Sequence, residues 1–199
     1  MSGAREVLRE YLRVVKSLKK PPGRKSNKRF KGQVFASIFC EHLSKYVPHC
    51  DVVLGPLWVK GLEWIEWDCA IVKRAPVRYR LYDPDKVVAL FECKVSGIYG
   101  GRDKLPIILE NIRGKFKEAE KLGIRCFYVS LMEAKPRSEK SIDYYKETKK
   151  TLEGKAFILF NSRSVKSEDN RDVEGLVRDS EEFEGEWDAL IKEVLRLIR

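Results

Sequence analysis

Two carboxylates and one lysine stand out because together they could hydrolyse a phosphodiester. Glu92 and Lys94 are separated by a single residue, and Asp68 lies 24 positions before the glutamate. Such hydrolysis, when metal-assisted, needs acidic oxygens to hold Mg²⁺ or Mn²⁺ against the phosphate, plus a cation near the attacking water and the developing charge. Residues two apart in a strand project from one face, so Glu92 and Lys94 stand side by side while Cys93 points into the opposite layer. Cys93 can then offer its backbone carbonyl as a further metal ligand. The plain alternative is a set of strand-end charges, with a Lys94–Glu92 surface pair of little energetic value.

Positioning these groups requires two adjacent strands. The run Val87–Phe91 is apolar on both alternating faces, as a central strand covered by helices on each side would be. A strand from about Leu62 to Val72 precedes it and carries Asp68 at a polar break. A hairpin through the polar Lys73–Lys86 stretch brings the aspartate beside Glu92. Upstream, Val52–Leu54 and Leu57–Val59 read as a strand broken near Gly55-Pro56, pairing antiparallel with the next.

Helical spacing marks residues 4–20, ending at Pro21-Pro22, and residues 29–47 through Phe30, Val34, Ile38, Phe39, Leu43 and Tyr46. A glycine-rich turn, Gly97–Gly101, leads to a helix over 103–122 that stops at Gly123, and the strand Cys126–Met132 follows. A short helix (Tyr144–Leu152), a strand (Ala156–Phe160), an acidic loop or excursion (Ser162–Glu182) and a C-terminal helix from Phe183 complete the chain. The apolar stripe of that last helix packs on the core or makes a dimer contact. The domain reading is one unit over 1–199: an N-terminal helix and basic loop (1–28), a catalytic core (29–132) and a C-terminal part (133–199).

Glu-x-Lys recurs at Glu133-Lys135, Glu147-Lys149 and Glu153-Lys155, so the triplet by itself carries little. Context separates them. One falls in a helix, one spans a glycine turn, and one lies past its strand with no acid-bearing hairpin before it. Gly97-Ile98-Tyr99 resembles half of the GIY-YIG nuclease signature, but the second half is missing.

With these residues and this order of elements, residues 29–132 resemble the PD-(D/E)XK nuclease superfamily, within it either an archaeal or a resolvase-like member. The resemblance implies an α/β, restriction-endonuclease-like αβββαβ core: a mixed central sheet flanked by helices, here with extra N- and C-terminal helices. It implies that Asp68 and Glu92 bind Mg²⁺ or Mn²⁺, and that Lys94 orients or activates the water and stabilises the transition state. Relatives often add a carboxylate on the first core helix. After Lys31-Gly32 this chain has Gln33 instead, so the candidates are Glu41, one to two turns on, and Glu66, two residues before Asp68 on the same strand face. Each has a plain reading as a solvated surface charge.

The balance of charge agrees with an anionic partner. Of 199 residues, 40 are Lys or Arg and 30 Asp or Glu, a formal net charge of +10. Such a field favours polyanions, nucleic acid being the commonest. Lys25, Lys28, Arg29 and Lys31 are candidates for phosphate contacts, and Arg102 beside the glycine turn for a DNA-strand contact; the alternative is a solvated basic loop. DNA is the expected partner and RNA a further one, with a non-catalytic nucleic-acid-binding protein as the rival reading.

Five cysteines without a C-x-x-C pair read as small core residues, which argues against disulfides and zinc, and two histidines leave little for histidine chemistry. A single glutamine in a charge-rich chain fits a protein from a hot environment. No apolar run is long enough to span a membrane, and the expected location is the cytoplasm.

Overall fold

A computed structural model of the chain describes residues 2–17, 28–74, 80–96, 105–133, 144–161 and 172–198. The helices are α1 (Gly3–Ser17), α2 (Lys28–Ser44), α3 (Leu105–Lys121), α4 (Tyr144–Thr151), α5 (Val173–Arg178) and α6 (Glu186–Leu197). The strands are β1 (Cys50–Val59), β2 (Trp67–Lys73), β3 (Leu81–Tyr82), β4 (Val87–Ser96), β5 (Arg125–Met132) and β6 (Ala156–Phe160). None of the described helices is long and apolar enough to cross a membrane.

One mixed sheet in the order β3-β1-β2-β4-β5-β6 organises the chain. β1, β2 and β4 pair antiparallel in succession, as short connections allow, whereas β4, β5 and β6 run parallel because α3 and then α4 cross over between them. The doubly apolar run in β4 is thereby explained. It lies between β2 and β5, and its alternate side chains enter two separate cores. Ala89, Phe91 and Cys93 pack with α1, α2 and α6, while Leu90 packs with Leu109, Ile112, Phe116 and Ala119 of α3.

α3 stops where expected. Gly123 takes the left-handed conformation (φ 75°), and the Ile124 amide donates to the Ala119 carbonyl at 3.1 Å, closing the last turn. On the opposite side, His42 at the end of α2 lies 3.1 Å from Glu10 of α1. The buried Glu186 at the start of α6 accepts from Lys149 and Tyr145 of α4, both at 2.7 Å, and from the Ile158 amide of β6 at 3.1 Å.

Four sequence expectations are corrected. β1 is a single strand across Gly55-Pro56, with its pairing to β2 shifting register between Leu54 and Leu57. Residues 62–66 are turns, not the start of β2: Leu62 and Ile65, three apart, are buried on turn hydrogen bonds, and Trp64 is 72% exposed. The polar stretch before β4 contains β3, which pairs parallel with β1. The acidic segment contains α5, capped by the Asp172 carboxylate accepting the Gly175 amide at 2.6 Å. The glycine turn at 97–101 and Pro21-Pro22 lie outside the described residues.

Gly55 is where β1 approaches β2 most tightly. A Cβ there would sit 2.1 Å from the Trp67 carbonyl oxygen and 2.9 Å from that of Asp68. Because both obstacles are backbone, Gly55→Ala is expected to push β1 away from β2 and destabilise the protein by about 1–3 kcal/mol. A lowered urea midpoint with an unchanged m-value is the expected readout; an unchanged midpoint would show that the bulge yields freely.

Candidate active site

β2 and β4 hold the three groups singled out by chemistry. Cys69 pairs with Phe91, and continuing that register sets Asp68 opposite Glu92. Pairing between these strands ends there, and the Asp68 side chain takes over the next donor: its Oδ2 accepts the Cys93 amide at 2.8 Å. Period-two alternation then does what the sequence implied. Cys93 enters the core beneath α2, while Glu92 and Lys94 face the α3 side with Asp68.

The Lys94 ammonium is the centre of the arrangement. Its Nζ lies 3.2 Å from Asp68 Oδ2, 2.5 Å from Glu92 Oε1 and 3.2 Å from the Cys93 carbonyl oxygen. The Glu92 side chain is only 8% exposed, against 34% for Asp68 and 37% for Lys94, so the glutamate anchors the group from below. Its second oxygen meets Lys115 Nζ of α3 at 3.2 Å. Two carboxylates and two ammonium groups thus form a cluster neutral in formal charge.

Their protonation follows from burial and neighbours. Burial raises the Asp68 carboxyl above the usual carboxylate range, and Glu92 adds to this, while Lys94 and the Cys93 amide pull the other way and do not fully compensate. For Lys94 the largest single influence is burial, which lowers its pKa. Glu92 and Asp68 together outweigh that influence and raise it above the ordinary lysine value. One cation between two anions reconciles the two directions: the lysine gains from both partners, whereas the aspartate shares its cation and pays for its own desolvation. Lys94 is therefore an ammonium group at neutral pH and donates hydrogen bonds. Tyr128, opposite Glu92 on β5, is fully buried, and burial pushes its phenol up to about 12, so it stays neutral.

A cavity of about 720 Å³ opens over this cluster, lined by Asp68, Lys94, Glu66, Arg29 and Lys31 among others. Ile108 and Ile112 of α3 close one side, and Gln33 and Ser37 of α2 another. Glu66 lies just before β2 rather than within it, and it is exposed at the wall of the same cavity that Asp68 lines. Glu41 is an exposed α2 residue that does not line the cavity. Lys28 opens α2 rather than ending a loop. Lys25 and Arg102 fall outside the described residues.

Lys115 was missed by sequence reasoning, although a signal existed. It follows Ile108 and Ile112 at helical spacing, on the stripe that faces the sheet, where a lysine needs a buried partner. Among the described residues no three His, Cys, Asp or Glu side chains converge. The acidic set here is two carboxylates and a backbone carbonyl. Those oxygens all lie within 3.2 Å of one point, the Lys94 Nζ, and hard oxygen donors of this kind suit Mg²⁺ or Mn²⁺.

A mixed sheet between helical layers, with an acid on the second strand and Glu-x-Lys on the central one, defines a restriction-endonuclease-like fold. Solved structures that share it include NucC of P. aeruginosa ATCC27853 and NucC of E. coli MS115-1, both in cAAA-bound form. Their TM-scores are 0.56 and 0.54 at 12% and 14% identity, covering 98% of this chain and 87% and 86% of theirs. No family model and no curated protein matches the sequence.

The shared ammonium makes a pH-dependent prediction. With its folded pKa raised, the Lys94 contribution is complete below the ordinary lysine value and fades only as pH rises through the higher folded one. In acid it is the partners' charges that vanish, beginning with Asp68, whose raised pKa releases its charge early. Lys94→Met is therefore expected to destabilise the protein more at pH 7 than at pH 4, read from urea midpoints. Equal losses at both pH values would deny the lysine its electrostatic role.

Proposed function

We propose that the protein is a metal-dependent nuclease that hydrolyses phosphodiester bonds in DNA, acting as one catalytic domain. The observation that supports this best is the convergence of Asp68, Glu92 and the Cys93 carbonyl on the Lys94 ammonium, beside a cavity with Arg29 and Lys31 on its wall. The shared fold with NucC agrees with it.

Asp68, Glu92 and the Cys93 carbonyl would hold Mg²⁺ or Mn²⁺. When bound, such an ion supplies Lewis-acid polarisation of the phosphate and lowers the pKa of water. Lys94, protonated throughout, donates hydrogen bonds to the attacking water and to the phosphate oxygen on which charge develops. Lys115 keeps the second Glu92 oxygen occupied and so leaves Oε1 to Lys94. Because the four side chains sum to no net charge, a bound divalent cation leaves the site positive, as an incoming phosphodiester requires. Arg29 and Lys31 on the cavity wall would hold flanking phosphates, and Lys25, Lys28 and Arg102 are the further basic candidates for DNA contacts. Glu66 offers a further, outer carboxylate.

A non-catalytic nucleic-acid-binding protein is the second reading, favoured by one observation: the α2 face on the cavity presents Gln33 and Ser37 where relatives carry an acid. A homodimer, a cytoplasmic location and an archaeal or resolvase-like kinship go with this proposal, and an RNA substrate is the further alternative on the same scaffold. The charge-rich composition with its single glutamine supports the adaptation to heat.

Plasmid, linear, single-stranded and branched DNA incubated with Mg²⁺, Mn²⁺ or EDTA test the proposal. Cleavage is expected with either metal and none with EDTA. Asp68→Asn, Glu92→Gln and Lys94→Ala are each expected to slow it at least about 100-fold while leaving binding in place. Tight binding without cleavage by the unaltered protein would favour the second reading. For Arg29→Ala and Lys31→Ala, the slope of log K against log salt is expected to fall by about one each. A slope unchanged by both would remove the cavity wall from the DNA path.

A further inference from the structure

The cluster of sulfurs behind the catalytic strands is not used by the proposed chemistry. Cys40 of α2 and Cys69 of β2 are both buried, and their Sγ atoms are 2.6 Å apart across 29 residues of sequence. That separation is well inside the contact distance of two unbonded sulfurs and near covalent reach. Cys93, also buried, lies near the pair on the same side of the sheet. Among the described residues the sulfur of Cys69 has no other hydrogen-bonded partner than Cys40.

We propose that Cys40 and Cys69 are the two halves of a disulfide that staples the first core helix to the strand carrying Asp68. Its formation is a two-electron oxidation. The two thiols lose two protons and two electrons to a small organic disulfide such as oxidised glutathione, which leaves as two thiols, and one S–S bond joins the residues. Both cysteines are screened from solvent in the folded protein, so exchange takes place in the unfolded or opened chain and folding then draws the sulfurs together. The staple closes a loop of about thirty residues that contains all of β1, and it joins two walls of the cavity: α2, bearing Arg29, Gln33 and Ser37, and β2, bearing Asp68. All five cysteines are free thiols in the structure, in keeping with the sequence reading, and the proposal departs from that reading at this one pair. The inference is independent of whether the cavity hydrolyses DNA.

The test is direct mapping on the whole, unaltered protein. Protein refolded with a glutathione redox pair is unfolded in alkylating agent, digested and analysed by mass spectrometry, beside a sample reduced first. The expected result is one Cys40–Cys69 linked peptide pair in the oxidised sample, with Cys50, Cys93 and Cys126 alkylated. Thermal unfolding should show a melting point higher by on the order of 10 °C in the oxidised form, a difference abolished by reductant. Cys50→Ser should keep that difference and Cys40→Ala should lose it. If Cys40→Ala does not fold, the mapping on the unaltered protein still decides. Alkylation of both Cys40 and Cys69 after oxidative refolding, or linkage of either to Cys93, would overturn the proposal.

Discussion

The arrangement depends on one ammonium group shared by two carboxylates at the point where two strands stop pairing. β2 and β4 hydrogen-bond as far as Cys69 and Phe91, and beyond that the Asp68 side chain, not the backbone, receives the Cys93 amide. The sheet thereby opens a gap on its α3 side without leaving an amide unsatisfied. Lys94 fills the gap and holds two negative charges together that would otherwise repel. Each neighbouring element serves this point: the β1 bulge lets Asp68 sit close, α3 reaches in with Lys115, and α2 borders the opening above.

Much of this was legible in the sequence because it rests on periodicity. A strand buried on both faces must be apolar at every position, so a charged pair two residues apart at its end has to face one side together. Val87–Phe91 followed by Glu92 and Lys94 announces that geometry. What escaped notice was either too short or masked by composition. β3 is two residues long, below the length at which alternation can be seen. Residues 62–66 imitate a strand because Leu62, Trp64 and Ile65 are apolar among glutamates, yet the buried ones, Leu62 and Ile65, are three apart. α5 lies in a segment whose acidity suggests solvent, although Val173, Leu176 and Val177 follow helical spacing behind a capping aspartate. Lys115 sits on a readable helical stripe, but its partner Glu92 is distant in sequence, and only the folded chain sets those two, like Cys40 and Cys69, face to face.

The two sides of the sheet do different work. The side facing α1, α2, α5 and α6 is a continuous apolar core with aromatic contacts such as Phe39–Phe91 and Phe91–Phe127, and it fixes the strands in place. The side facing α3 and α4 is apolar at one end and ionic at the other, where β4 changes from Leu90 to Glu92 and Lys94. Burial of an ionic cluster is costly unless every charge is met. Here the pairing is mutual, which makes the cluster sensitive to loss of any single member.

The borders of the sheet have a consequence of their own. On one side the last strand, β3, is two residues long, and on the other β6 is already met by the chain itself: Phe160 bridges to Glu182, the Phe183 amide donates to Leu159, and the Asn161 amide donates to Glu181. Exposed, unpaired strand margins invite cross-chain pairing and fibrous aggregation. Among the described residues, one margin of the sheet is thus too short to template a long strand and the other is occupied by the chain's own C-terminal segment, which limits growth outward strand by strand.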